Sequence, residues 1–145
     1  MEIPFELEKK YPTCSADVII LNELDEILLT KRGVEPYKGF WILPGGHIKE
    51  EQPIEAAKRE VYEEIGVEIH IDKLYGVYTS TGKDPRGARV TVIYVAHIIA
   101  GSLQETIEVI ESKFFSKDNI PIDIGFHHAN IIRDFFEHSE GQPIL

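Results

Sequence analysis

The chain has one cysteine, Cys14, so neither an internal disulfide framework nor a cysteine-based zinc site is available to it. Cys14 is expected in an early strand as a small buried side chain. No apolar run approaches the roughly 20 residues that a membrane-spanning helix needs. The opening Met1-Glu2-Ile3-Pro4-Phe5-Glu6 lacks the basic start and apolar stretch of a signal peptide. Positive charge is also scarce, and the formal net charge is −10. A domain that binds nucleic-acid polymers carries a basic footprint, so that partner is not expected, nor is a membrane. The expected compartment is the cytoplasm. Internal repeats, low-complexity tracts and long linkers are missing too, which points to a single domain over residues 1–145.

What remains is an ordinary globular composition, 43 % hydrophobic and 28 % charged, long enough to bury a core. Its acidity does not exclude a phosphorylated small molecule, because a bound cation inverts the local field. Cys14 to Leu21 and Glu26 to Thr30 read as strands separated by a turn at Asn22-Glu23-Leu24-Asp25. Trp41-Ile42-Leu43 is a short apolar segment that ends at Pro44-Gly45-Gly46. Val67 to Ser80 and Arg89 to Ala100 are long strands joined by a polar Gly/Pro loop. Helical periodicity appears over Pro53 to Ile65 and Ala129 to Phe136. The mixture predicts an α/β domain with one sheet covered on both faces.

The first helix carries the chemistry. Pro53 stands at the first helical position, where its missing N–H costs nothing. Glu55 suits the positive end of the helix dipole, and Gly66 stops the helix. Ile54, Ala57, Val61 and Ile65 form a stripe with the spacing of a buried face. Glu60, Glu63 and Glu64 lie beside it at i, i+3 and i+4. Such carboxylates repel by a few tenths of a kcal/mol per pair even in water, and by more beside a buried face. A hard divalent cation would relieve them; on its own, though, the pattern also fits a solvated face.

The wider pattern decides between these. Gly45 to Val67 reads GGHIKEEQPIEAAKREVYEEIGV, which resembles the Nudix box, G-x5-E-x7-R-E-U-x-E-E-x-G-U with U aliphatic. Gly45, Glu51, Arg59, Glu60, Val61, Glu63, Glu64, Gly66 and Val67 all match. Leu28-Leu29-Thr30-Lys31-Arg32, Phe40-Trp41-Ile42-Leu43-Pro44 and Glu111-Ser112-Lys113-Phe114-Phe115 resemble the family's flanking segments. The paired glycines stand one step later than is usual, and Gln52 replaces the usual Ser or Thr cap.

The resemblance implies a Nudix-type α/β/α sandwich with a mixed β-sheet and a loop–helix–loop. It implies Mg²⁺, with Mn²⁺ as a substitute, held by Glu60, Glu64 and the Gly45 carbonyl. Glu63 and Glu111 become the candidate catalytic carboxylates, with Glu108 an alternative to Glu111. Glu51 and Arg59 become an ion pair that holds the loop to the helix, and Gly66 the structural stop of the motif. The implied reaction is attack of water on one phosphorus of a nucleoside diphosphate linked to another group.

After the box, Gly76 to Gly87 resembles the corresponding segment of ADP-ribose pyrophosphatase-like members, with Thr81 where a proline is common. Lys83, Arg86 and Arg89 are candidate partners of a substrate phosphate; a solvated hairpin tip is the competing reading. Arg32 and Trp41 are further substrate candidates, and Tyr37, Phe40 and Tyr78 could also stack a base. His127 and His128 are read as a cap or surface feature rather than as ligands. Two other readings compete with ADP-ribose hydrolysis: a house-cleaning nucleoside triphosphate pyrophosphohydrolase, and a non-catalytic nucleotide sensor. The second would need an additional winged-helix domain, for which about 30 residues after Phe115 leave no room. Many relatives are dimers, so a homodimer is compatible with this reading.

Overall fold

The computed structural model describes residues 11–80, 84–85 and 87–144. Strand β1 (Thr13–Ile20) alternates its side chains between two buried faces, as the period of two requires. Ala16, Val18 and Ile20 enter one apolar cluster, and Ile19 enters the other. A turn follows in which Asn22 Oδ1 accepts the N–H groups of Leu24 and Glu26, and Asp25 takes a φ of 58°. The chain then enters β2 (Ile27–Arg32), β3 (Trp41–Ile42) and β4 (Gly45–His47). Helix α1 (Pro53–Ile65) leads into β5 (Val67–Ser80), β6 (Arg89–Gly101) and β7 (Val109–Phe115). A 3₁₀ turn (Lys117–Asn119) and helix α2 (His128–Glu137) complete the described fold.

The strands divide into two sheets rather than the single sheet expected. One has the order β4-β1-β6-β5, with β1 and β6 parallel and the other pairs antiparallel. The second is antiparallel, in the order β3-β2-β7. The Asn22 turn sends consecutive strands into different sheets, and one bridge, Leu21 to Ile27, pairs them at the turn.

Helices cover opposite faces. Ala57, Val61 and Ile65 of α1 pack with Val18, Ile20 and Val67. Ile131, Ile132 and Phe135 of α2 pack with Ile19, Ile93 and Val95. Each fully buried aliphatic side chain contributes about 1.5–3 kcal/mol relative to exposure. Ile54, expected on the buried stripe of α1, is only half-buried, while Ala56 is buried instead. Cys14 is exposed, contrary to expectation, because the first two residues of β1 precede the part of the strand that the helices cover.

Candidate active site

Helix α1 starts without a side-chain cap at Gln52 and ends at Gly66, whose φ of 75° permits the left-handed turn. Glu60, Glu63 and Glu64 lie in its last two turns. Glu64 is 8 % exposed, and its Oε1 accepts the Gly45 backbone N–H at 3.0 Å. Burial pushes its carboxyl well above the usual range; the Gly45 bond opposes this, and the charges of Glu60, Asp17 and Glu108 add to it. Burial also raises Glu60, against the pull of Arg59.

Arg59 ties this end of the helix to the preceding loop. Its Nη2 donates to Glu51 Oε1 at 2.6 Å and its Nε to Glu51 Oε2 at 3.0 Å, a bidentate grip. The same guanidinium donates to the His47 carbonyl at 3.1 Å, to Glu60 at 2.9 Å and to Glu63 at 3.2 Å. Glu51 is held below its usual range chiefly by its hydrogen bond with Arg59, and Arg59 is driven further toward permanent charge by Glu51.

Close approach to β1 requires glycine at position 45. A Cβ on Gly45, whose φ is 148°, would collide with the Ala16 carbonyl and Asp17. One on Gly46 would overlap the Glu60 carboxylate. β4 therefore lies flush against both β1 and α1, which brings the loop backbone to the helix carboxylates.

A cleft of about 510 Å³ opens here, lined by His47, Lys49, Glu60, Glu63, Thr106 and Glu108 among others. Glu108 is delivered by a turn in which Thr106 N–H donates to the Val109 carbonyl and Val109 N–H to Thr106 Oγ1. Thr106 Oγ1 also donates to the Glu64 carbonyl at 3.0 Å, anchoring the turn to α1. Glu108, weighed only as an alternative on sequence grounds, is thus the carboxylate of the later segment whose charge reaches Glu60 and Glu64.

Glu111 stands elsewhere. The β2–β7 register slips between Lys31 and Arg32, so Arg32 faces Val109 while Lys31 faces Glu111. The irregularity turns Glu111 onto the face shared with Lys31 and Phe115, opposite the α1 face of Phe114. It is exposed there.

The substrate candidates scatter. Trp41 is 7 % exposed and packs edge-on against Phe115 in the α2-side core, with Lys31 Nζ 5.7 Å from its ring. Arg32 donates through Nε to the Pro36 carbonyl at 2.6 Å, and its guanidinium lies 5.1 Å from the Phe126 ring. Tyr37 packs against Phe40 and Phe126. Tyr78 donates to Asp134 at 2.9 Å, tying β5 to α2. Arg89 is buried, with Nη2 3.2 Å from His47 Nε2. Lys83 and Arg86 lie outside the described residues. His127 occupies the cap position of α2, but His128 is buried rather than superficial. Asp17, given no role by the sequence, and His128, read there as a cap or surface feature, meet in the core at 3.2 Å. Their union carries no local signal, since nothing in either segment's pattern names the other.

Among the described residues, no three His, Cys, Asp or Glu side chains converge as a ready-made metal cage. Arg59 bridges two of the carboxylates, and Glu64 is turned to Gly45. The donors nonetheless suit a hard divalent cation, being oxygens alone and including a buried carboxylate crowded by like charge.

Two sheets thus lie between two helices, with an acidic cleft where a Gly-rich loop meets a Glu-rich helix. The known proteins that the chain resembles carry this further. The NUDIX domain model matches residues 12–135. An ADP-ribose pyrophosphatase of Methanocaldococcus jannaschii is 35 % identical over 132 residues, covering 90 % of this chain and 77 % of that protein. A putative 8-oxo-dGTP diphosphatase of Bacillus subtilis is 32 % identical over 125 residues, covering 85 % and 79 %. The crystal structure of a NUDIX hydrolase from Nitrosomonas europaea matches with a TM-score of 0.77 at 32 % identity, covering 92 % of this chain and 76 % of that one. The chain belongs to the Nudix family, as a pyrophosphohydrolase, an enzyme class that generally uses divalent metal ions.

Proposed function

We propose that this enzyme hydrolyses the pyrophosphate of ADP-ribose or a related nucleotide sugar with Mg²⁺, releasing AMP and a sugar phosphate. The substrate reading rests on the 35 % identity to the ADP-ribose pyrophosphatase, which spans 90 % of this chain. The metal reading rests on Glu64, a buried carboxyl facing three other acidic groups.

Glu60, Glu64 and the Gly45 carbonyl would hold the cation, with Glu108 lining the same cleft as Glu60. When bound, it neutralises charge on the phosphoryl oxygens and lowers the pKa of the attacking water. Glu63, more exposed than Glu60 at the cleft, would accept a proton from that water. Glu51 holds Arg59, and Arg59 keeps Glu60 and Glu63 in their rotamers until a cation competes for them. Mn²⁺ would serve as a substitute. The substrate is a small nucleotide.

The likeness to the putative 8-oxo-dGTP diphosphatase favours a second reading, hydrolysis of a nucleoside triphosphate to monophosphate and pyrophosphate. A substrate panel with Mg²⁺ and product analysis separates the two. AMP plus ribose phosphate from ADP-ribose as the best substrate upholds the first reading. Pyrophosphate release at higher kcat/KM from a triphosphate replaces it with the second.

A further inference from the structure

His128 opens α2 on the far side of the sheet from α1, yet its ring reaches the loop that carries Gly45. It is 4 % exposed. The Leu43 backbone N–H donates to its Nδ1 at 3.0 Å, and its Nε2 lies 3.2 Å from Asp17 Oδ2. A backbone N–H can only donate, so Nδ1 must be the bare nitrogen and Nε2 carries the proton. The ring therefore accepts from one neighbour and donates to the other.

Both neighbours bear on the hydrolytic site. Asp17 faces Gly45 across the β1–β4 pairing, so closely that Gly45 admits no Cβ, and its charge reaches Glu64. Leu43 begins the turn whose next carbonyl, Pro44, accepts the Val18 N–H at 2.9 Å. Gly45 then gives its N–H to Glu64. A carboxylate buried to 7 % exposure is expensive unless it is hydrogen-bonded. An apolar residue at 128 would fill the same volume without meeting that need.

We propose that His128 is a positioning residue: by bridging the Leu43 N–H and Asp17 in a single tautomer, it fixes the Pro44–Gly45 turn that presents Gly45 to Glu64 and the cation. The inference rests on reading Glu60, Glu64 and Gly45 as the metal site. Groups that orient metal ligands from outside the coordination sphere are worth about 10–100-fold in metal affinity or activity.

The test measures Mn²⁺ binding by electron paramagnetic resonance, with AMP present and no turnover, beside Mg²⁺ activation in steady-state kinetics. In His128→Phe, which keeps ring bulk but has no nitrogens, the Mn²⁺ dissociation constant should rise about tenfold or more. His128→Gln, whose amide offers an acceptor and a donor at similar separation, should recover to within about threefold. A histidine that merely stabilised the fold would lower Tm in both variants and leave the metal affinity of the folded protein unchanged. Nitrogen chemical shifts of the wild-type ring should show the Nε2–H tautomer, and an Nδ1–H ring overturns the proposal without any variant. Folded His128→Phe protein with Mn²⁺ affinity within about twofold of wild type overturns it as well. Should His128→Phe not fold, His128→Met, which also lacks a donor and a strong acceptor, is held to the same threshold. Loss of Mn²⁺ binding in Glu64→Gln but not in the His128 variants removes this inference alone, whereas a wild-type protein that binds no Mn²⁺ removes the metal site with it.

Discussion

Gly45 donates its backbone N–H to Glu64 Oε1 at 3.0 Å, and this bond stabilises the charged form of a carboxyl that its burial and its neighbours oppose. A group in that position binds a cation more readily than it stays ionised alone. Glu64→Gln keeps the size and the capacity to accept from Gly45 but cannot supply the charge. Its kcat/KM should fall at least about a hundredfold, the scale of losing a principal electrostatic stabiliser. Steady-state rates on the best substrate, with and without EDTA, check this. Full activity in EDTA or in the variant would discard metal-assisted hydrolysis.

The same carboxyl makes the stability of the metal-free protein depend on pH. Glu64 is pushed well above the ordinary glutamate value in the folded state, so the folded protein holds its proton more tightly than the unfolded chain does. Its contribution is fully present below the unfolded value and is lost as pH rises through the folded one. Without metal, melting temperature should therefore decline as pH rises above the ordinary glutamate range, and Glu64→Gln should flatten the decline. Millimolar Mg²⁺ should raise Tm most at the alkaline end, by mass action on the ionised form. A wild-type Tm indifferent to both pH and Mg²⁺ across that window contradicts the account.

Arg59 makes contacts that lysine cannot copy, since only a planar fork grips Glu51 through Nε and Nη2 while Nη1 reaches Glu60 and Glu63. Arg59→Lys should lower stability by about 1–3 kcal/mol, from the lost charge-assisted bonds. Activity should fall with it, because the loop would no longer be held at the helix. Denaturant unfolding and kinetics on the one variant decide. An Arg59→Lys protein equal to wild type in both would reduce the pair to a surface ornament.

Helix α1 was legible with its bounds, since Pro53 and Gly66 mark its two ends and Ala57, Val61 and Ile65 repeat at helical spacing. β5 and β6 were equally plain from their β-branched runs. What escaped depends on contacts between distant segments. The division into two sheets turns on where the chain goes after Asp25, which local pattern does not encode. Cys14 looks like a core residue until the coverage of β1 is known. Asp17 and His128 have no shared periodicity, and the Glu108 turn is set by Thr106 bonding across to Glu64. Arg89 was read as a phosphate partner at the start of β6; its guanidinium is buried and reaches His47 of β4 across the intervening β1, a neighbour that local pattern does not name.

The last prediction separates two carboxylates that the sequence placed nearly on a par. Glu108 lines the cleft with Glu60 and Glu63, and its charge is felt by Glu60 and by the buried Glu64. Glu111, three residues on, is exposed on the opposite face, because the register slip beside Arg32 reverses the alternation of β7. A strand without that slip would leave odd-numbered positions from 109 onward on one face, and Glu111 would follow Val109 toward α1. Glu108→Gln should therefore cut kcat/KM by about tenfold or more, the loss falling in kcat or in Mg²⁺ activation rather than in stability. Glu111→Gln should change it less than about twofold, as an exposed substitution away from the chemistry does. Thr106→Val, which removes the hydroxyl anchoring the turn to Glu64, should reproduce part of the Glu108→Gln loss while leaving the carboxylate in place. Equal kinetics for wild type and Glu108→Gln, with a large loss in Glu111→Gln, would mean that β7 adopts the unbulged register when substrate and metal are bound.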